Sequence, residues 1–564
     1  MLYQHNFISH CIQMIKQQEN KEIANLLFPE IVQSKRDILE KYPKRELSDE
    51  QLVLRFAPSP TGFIHIGNIY TGLVGYILTK RTEGVFVLRI EDTDKTREVE
   101  KGISQIIEGL EYFGIKFDEG MVGENKEKGE YGPYKQSERI GVYKTFAKYL
   151  VAKGYAYPCF CTSQELETIR NEQNKLGCKT GYYGKWAKWR DTSLEDVKKE
   201  LELGTPFVIR LYSKGNIDEK INVKDLIKGG MTLSQNDMDA VLLKSDGLPT
   251  YHFAHPIDDT LLHISFVLRG DEWLPSQPLH MEIFEALGFQ QIQYGHISPL
   301  MKMDKGGKRK LSKRKDPEFA VSYYIEKGYP VEGVKEYLLN IANSNFYDWR
   351  IQNPGEDILN FNLKLEKFNK AGALFDITKL NDICKEYIST LSATQVYEYV
   401  LEWSGESDPE INKKLINQRD YCIRIFNIER EGDKIRKDIV KWSDVREQFE
   451  IFFDDIYIGK EEIDIEKSIQ KDILNDFLDT YYFGDSTTEW FSKIQRIAQK
   501  YGFCLDSREY SKNPKKYKGK IGDVAMTIRV AVTGRKQTPD LYEVMQVMGE
   551  SRVRERIKGY INRI

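Results

Sequence analysis

The chain has 564 residues, 40% hydrophobic, 12% aromatic and 30% charged. That is enough for at least three domains with buried cores, and it excludes a disordered or collagen-like protein. The net charge of −3, from 83 basic and 86 acidic residues, predicts no nucleic-acid binding from overall charge, so any polyanion footprint must be local.

Residues 1–50 read as a polar helical extension without chemistry of its own, and they show no apolar stretch of a secretory signal. LVLRF from Leu52 reads as a buried strand, APSPTGF as a loop fixed by two prolines, and the chain from His65 as a helix. Its apolar positions Ile69, Leu73, Val74, Ile77 and Leu78 recur at helical spacing. Gly84 breaks that helix, and VFVLRIED reads as a second strand ending on acids. Strand, helix and strand in about 40 residues make a βαβ unit and hence a parallel sheet. Such sheets bind ligands beyond the carboxyl ends of their strands, where both APSPTG and Glu91–Asp94 sit.

Residues from about 101 to 155 alternate helices with Gly-broken loops. Residues 157–238 read as an insertion with two cysteines, a helical SQELETIRNEQNKL and a hairpin-like TPFVIRLYSKGNIDEKINVKD. Strand signals return at AVLLKSDGLPTYHFAH and LLHISFVLRGDEWL and are expected to rejoin the first sheet. Five of the eight histidines lie between 252 and 296, so this return segment is chemically dense. Beyond about 375 the pattern is all-helical. The expected divisions are 1–50, an extension; 51–156 and 239–295, the two halves of a sheet domain; 157–238, the insertion; 296–375, a connecting region; and 376–564, a helical domain. No apolar run approaches the ~18 residues of a membrane span. Seven scattered cysteines imply no disulfide framework and a reducing, cytosolic setting.

Two strings carry chemistry. In Arg55-Phe-Ala-Pro-Ser-Pro-Thr-Gly-Phe-Ile-His-Ile-Gly-Asn68 the prolines make the loop rigid and open. His65 and Asn68 share one face at a helix start, and Gly67 lets a flat base or a phosphate approach the backbone. A helix N-terminus also favours anions. The second string is Lys308-Arg-Lys-Leu-Ser-Lys-Arg-Lys315, within a run where eight of the fourteen residues from Lys302 to Lys315 are basic. It is not a P-loop, because Arg309 follows Gly307-Lys308. Mobile ammonium groups beside Gly306-Gly307 suit a flexible loop closing over a triphosphate. A second basic run, Arg552 to Arg563, is the other candidate polyanion footprint.

His65-Ile-Gly-Asn68 resembles the HIGH signature, and Lys310-Leu-Ser-Lys-Arg314 the KMSKS signature, of class I aminoacyl-tRNA synthetases. RFAPSPTGFIHIGN, RIEDTD, PTYHFAH, RGDEW and KLSKR, in this order, resemble bacterial-type glutamyl-tRNA synthetases from about Leu52 to Asp316. The tail AVTGRKQTPDLYEVMQVMGESRVRERI is similar too, while residues 1–50 lie outside the resemblance. The resemblance implies an α/β protein: a Rossmann-type parallel-sheet catalytic domain, an inserted acceptor-stem-binding domain and an all-α anticodon-binding domain. It implies ligation of L-glutamate to tRNA(Glu) through a glutamyl-adenylate, with ATP as substrate and Mg²⁺, by a cytoplasmic monomer. Activation in this family generally requires bound tRNA. His65, Gly67 and Asn68 are then expected to seat ATP, with Lys310, Ser312 and Lys313 on its phosphates. Asn68 stands for the last His of the signature, which the family tolerates.

Arg55 is expected on the side-chain carboxylate, which suits a guanidinium fork, and Glu91 on the α-ammonium. Ala57, Ser59, Tyr251, His255 and Arg269 complete the implied pocket. His255 stands where many relatives place Asn or a small residue. Cys159 and Cys161 open the insertion as in relatives that bind structural zinc. Cys178 makes three thiols at best, with Tyr182 or Tyr183 as a weak fourth ligand, so a zinc-free insertion is expected. The alternatives are a glutaminyl-tRNA synthetase-like enzyme and a non-catalytic tRNA-binding paralogue.

Overall fold

The computed structural model describes residues 2–60, 62, 64–94, 99–312, 314–432, 435–457 and 461–564, with side chains from Met14 onward. It forms two units, Met1–Val321 with Leu338–Asp376, and Ser322–Tyr337 with Ile377–Ile564.

The first unit opens with helices α1 (Leu2–Leu27) and α2 (Lys35–Lys41). Polar as it looks, the extension is not an appendage. Ile23, Ala24, Leu27, Phe28, Ile38 and Tyr42 are buried in one core with Tyr143, Phe146, Leu150, Phe253 and Ile257. Arg45 grips Glu119 with two hydrogen bonds, of 2.7 and 2.9 Å, and stacks on Tyr131. Among the α1 residues with described side chains, the buried ones, Ile23, Ala24 and Leu27, lie in its last turns.

Strand β1 (Val53–Phe56) is buried throughout. Helix α3 (Ile66–Arg81) then returns the chain to β2 (Val85–Leu88), which lies parallel to β1 with Val87 opposite Arg55. The α3 face carrying Ile66, Ile69, Leu73, Val74 and Ile77 is no more than 1% exposed, as the spacing predicts for a helix packed on a sheet. Helix α4 (Gly102–Tyr112) leads to β3 (Glu119–Gly123), parallel to β2, and β4 (Lys126–Lys128) closes the order β1-β2-β3-β4. Helix α5 (Ile140–Lys153) follows.

The insertion contains β5 (Ala156–Cys159), α6 (Ser163–Lys175), α7 (Leu194–Glu202), β6 (Val208–Leu211), β7 (Lys220–Asp225) and β8 (Gly229–Ser234). The hairpin expected over TPFVIRL…KINVKD does not form. β6 pairs antiparallel with β5 and with β9 (Val241–Leu243), whereas β7 pairs with β8 in another sheet. The turn is set after β7, where the Asp225 carboxylate accepts from the Ile227 and Lys228 amides before Gly229 at φ +86°.

The return segment also departs from expectation. AVLLKSDGLPTYHFAH is strand only as far as Leu243, and that strand joins β6 rather than the first sheet. From Tyr251 it is helix α8 (Tyr251–Leu261). β10 (Phe266–Gly270) does run beside β1, with the Ser265 amide donating to the Val53 carbonyl at 2.8 Å. After α9 (Gln277–Leu287), β11 (Gln293–Ile297) pairs parallel to β10. β12 (Leu300–Asp304) and β13 (Gly307–Lys310) form an antiparallel hairpin whose turn contains Gly306-Gly307.

The second unit is helical, around a core that includes Val396, Val400, Ile411, Trp442, Phe449, Phe477, Ile494, Val524, Ile528, Val553 and Ile557. Its last helix, Glu550–Arg563, carries the C-terminal basic run. Arg552 donates to Tyr421 and to the Phe452 carbonyl, Arg554 to the Leu478 and Tyr481 carbonyls, and Arg556 to Asp454. These guanidiniums tie the helix to its neighbours. No described helix is long and apolar enough to cross a membrane.

Candidate active site

A cavity of about 540 Å³ opens where β1, β2, β10 and β11 end. Its wall brings together Arg55, Ala57, Ser59, His65, Gly67, Asn68, Glu91, Tyr251, Arg269 and Lys310, which chain positions up to 255 residues apart supply.

His65 caps α3. Its Nδ1 accepts from the Asn68 amide at 3.2 Å, while the Asn68 side-chain oxygen accepts from the His65 amide at 3.1 Å. This reciprocal box pins the imidazole and the Asn68 amide group to the helix start. Because Nδ1 accepts, the ring hydrogen of the neutral imidazole is on Nε2. Gly67 is needed for a reason beyond ligand approach: a Cβ there would stand 3.1 Å from His65 Nδ1, so any side chain presses on the capping ring. Phe319 stacks on His65 at 4.2 Å, which joins the segment after the KLSKR string to the helix start.

The described residues on either side of that string are anchored at several points. Lys310 ends a strand, and Gly306-Gly307 belong to the hairpin turn. Arg309 clasps Asp316 through two nitrogens at 2.6 and 2.8 Å, Lys302 reaches Asp316 and Glu318, and the Ser312 amide donates to Asp316. Exposed Lys310 is left facing the cavity. Ser312 is not in its wall, and Lys313 lies outside the described residues.

Around Arg55 the cavity is backed by a buried charge cluster. Arg55 Nε lies on Asp259 at 3.2 Å and Nη1 donates to the Leu268 carbonyl at 2.9 Å. Arg89, fully buried, donates to the same Asp259 at 2.6 Å and lies 3.5 Å from Glu91. Arg139 and Tyr143 hold Asp258 in turn. Burial works to raise the Asp259 carboxyl, but Arg55, Arg89 and His255 outweigh it and hold the group well below the carboxylate range. Burial pushes the Glu91 carboxyl up to about 7, against the pull of Arg89 and Arg55.

His255 does not reach the cavity wall. It is fully buried, with Nδ1 2.5 Å from Asp259 and Nε2 2.9 Å from the Tyr294 hydroxyl, and it backs Tyr251 in a stack. Burial pushes its pKa down to about 3, so its one ring hydrogen is committed to Asp259.

Asp259, Asp258, Arg89, Trp273 and Phe319 were missed by sequence reasoning. The Asp258-Asp259 doublet inside an apolar helix was the available signal, because a buried acid requires a cation partner.

The elevated Glu91 value predicts a pH effect. If Glu91 receives an ammonium, kcat/KM for a substrate carrying that group falls as pH drops through about 7, because the protonated carboxyl no longer attracts a cation. Glu91→Gln is expected to remove that acid limb from the pH profile. A profile unchanged by the substitution would assign the limb elsewhere.

Cys159 and Cys161 both lie 3.5 Å from the Tyr182 hydroxyl in a small aromatic core, whereas exposed Cys178 bonds the Leu176 carbonyl. Among the described residues no group of three or more His, Cys, Asp or Glu is placed to hold a metal.

Residues 51–382 match the family of class I tRNA synthetases (E and Q), catalytic domain, and residues 511–561 match an anticodon binding domain. The chain is 47% identical to a glutamate–tRNA ligase of Clostridium perfringens strain SM101, over 96% of this chain and 99% of that one. It is 46% identical to one from Acetivibrio thermocellus, over 95% and 99%. The unmatched share is shorter than residues 1–50, so the likeness extends into the extension, contrary to the sequence expectation. A crystal structure of a glutamate tRNA ligase from Elizabethkingia meningosepticum, in complex with its amino acid, superposes with a TM-score of 0.72 at 29% identity, over 91% of this chain and 99% of that one. On sequence, fold and the matched catalytic region together, the chain belongs to the class I tRNA synthetases of the glutamate and glutamine group.

Proposed function

We propose that the protein ligates L-glutamate to the 3′ end of tRNA(Glu). Glutamate and ATP give glutamyl-adenylate and pyrophosphate, and transfer to tRNA then releases AMP. The observation that carries this reading is a cationic cavity at the strand ends. It joins the capped start of α3 to Arg55 and Arg269, in a chain 47% identical to a glutamate–tRNA ligase.

Adenylation requires no protein nucleophile. The α-carboxylate attacks the α-phosphorus in line, and the protein contributes positioning and charge stabilisation. Arg55 faces the side-chain carboxylate and Glu91 the α-ammonium. His65 Nε2–H and the α3 N-terminus meet the nucleotide, and Lys310 and Lys313 stabilise the departing pyrophosphate. Mg²⁺ enters as the counter-ion of ATP. The insertion takes the acceptor end and the helical unit the anticodon, in a cytoplasmic monomer. A cationic pocket favours glutamate over the uncharged glutamine side chain.

Zinc has no part in this reading, since Cys159 and Cys161 share Tyr182 within a hydrophobic core. Elemental analysis is expected to find well under one zinc per chain. Cys159→Ser is expected to cost no more than about 1 kcal/mol of stability, because a buried thiol behaves as a small hydrophobe. Stoichiometric zinc whose removal abolishes charging would overturn this.

ATP–pyrophosphate exchange with glutamate and with glutamine, each with and without tRNA, tests the function. Glutamate-dependent exchange in the presence of tRNA supports it. Exchange with glutamine alone would replace it with the glutamine enzyme, and none under any condition would favour a non-catalytic paralogue.

A further inference from the structure

We infer that His280 and His296 are positioning residues that hold Arg269 through ring-nitrogen lone pairs instead of carboxylates, which leaves the guanidinium charge for a carboxylate of the substrate. The inference rests on the amino-acid ligase reading above and assigns residues that reading does not use.

Arg55, Arg89 and Arg139 each lie on a carboxylate of the protein. Arg269, 5% exposed and lining the same cavity, does not. Its Nε donates to His296 Nε2 at 3.0 Å, its Nη1 contacts His280 Nδ1 at 3.1 Å and the Tyr251 hydroxyl at 3.2 Å, and its Nη2 reaches the Trp273 carbonyl at 3.4 Å. Among the described residues no carboxylate stands within ion-pairing distance of it.

The neighbours of the two imidazoles fix their tautomers. His296 Nδ1 lies 2.7 Å from Asp225, which accepts its hydrogen and leaves the Nε2 lone pair for Arg269. Asp225 also accepts from the Ile227, Lys228 and His296 amides, so its charge is engaged one ring away from Arg269. The nearby Asp271 is paired with Lys228 at 2.8 Å. At His280, Nδ1 faces Arg269, which supplies hydrogens only. The ring hydrogen is therefore on Nε2, donated to His252 Nδ1 at 3.0 Å.

Burial, with Arg269 adding to it, pushes the pKa values of His296, His280 and His252 below the ordinary imidazole value. All three therefore stay neutral acceptors. A guanidinium oriented on both edges and unneutralised is preorganised for an anion, whereas a carboxylate in the place of His280 would have neutralised it.

The test contrasts two nearly isosteric residues at one position. Asn at 280 can place an amide oxygen where Nδ1 stands, and Asp places a charged oxygen there. In steady-state charging at saturating tRNA, His280→Asn is expected to keep kcat/KM for glutamate within about 3-fold of wild type. His280→Asp is expected to lower it at least about 30-fold, through KM, with KM for ATP unchanged. His296→Gln and His296→Glu repeat the contrast at Nε2 and serve if a 280 variant fails to fold. Equal losses in the amide and acid variants, or a matching rise in the KM for ATP, would overturn the inference while the function stands. A wild-type chain that charges no glutamate would overturn the function, and the inference with it.

Discussion

Arg55→Ala is expected to lower kcat/KM for glutamate by about 10²–4 × 10³-fold, because removing one partner of a desolvated charge pair costs about 3–5 kcal/mol. The guanidinium is fixed on two sides, by Asp259 at Nε and the Leu268 carbonyl at Nη1, so its remaining edge meets the cavity without further ordering. The fold should survive, since Asp259 keeps Arg89 and His255. ATP binding should survive as well, because the His65–Asn68 box is built within α3 and its cap. Separate KM values for glutamate and ATP check this. Wild-type kcat/KM for glutamate in the variant would make Arg55 a structural residue.

Asp259→Ala should instead act on the fold. One carboxylate serves Arg55, Arg89 and His255 in a fully buried position. Its loss leaves two guanidiniums without a shared anion, at a cost of about 3–5 kcal/mol. Thermal unfolding of the catalytic unit should therefore begin at least about 5 °C lower. The folded-state pKa of Asp259 is depressed, so its contribution is fully present above the unfolded carboxyl value and disappears as pH falls through the folded one. Wild-type and variant stabilities should accordingly converge in acid. An unchanged melting temperature at neutral pH would show that the cluster does not hold the unit together.

What could be read from the sequence was what is local. The shared face of His65 and Asn68 at a helix start, the α3 face through Ile69, Leu73 and Ile77, and the β1–α3–β2 crossover follow from spacings of three and four residues and from short apolar runs, whereas the reciprocal cap those two residues make appears only in the structure. The partners of those residues are set by long-range pairing. Arg55 meets Asp259 across 204 positions, and His296 meets Asp225 across 71. No periodicity marks such pairs. The same limit misplaced TPFVIRL and KINVKD in one hairpin, because strand partners depend on register in three dimensions. Charge counts likewise do not show partners. Arg552 donates to the Phe452 carbonyl, Arg556 to Asp454 and Arg309 to Asp316. The histidine density between 252 and 296 was visible, but its purpose, a shell of lone pairs around Arg269, required coordinates.

The most direct test of the function is aminoacylation of a tRNA(Glu) transcript with labelled glutamate or labelled glutamine in the presence of ATP. The account predicts that glutamate accumulates on the RNA towards one equivalent per 3′ end, with AMP and pyrophosphate released, and that glutamine does not. Charging of glutamine in preference to glutamate, or of neither, would contradict it.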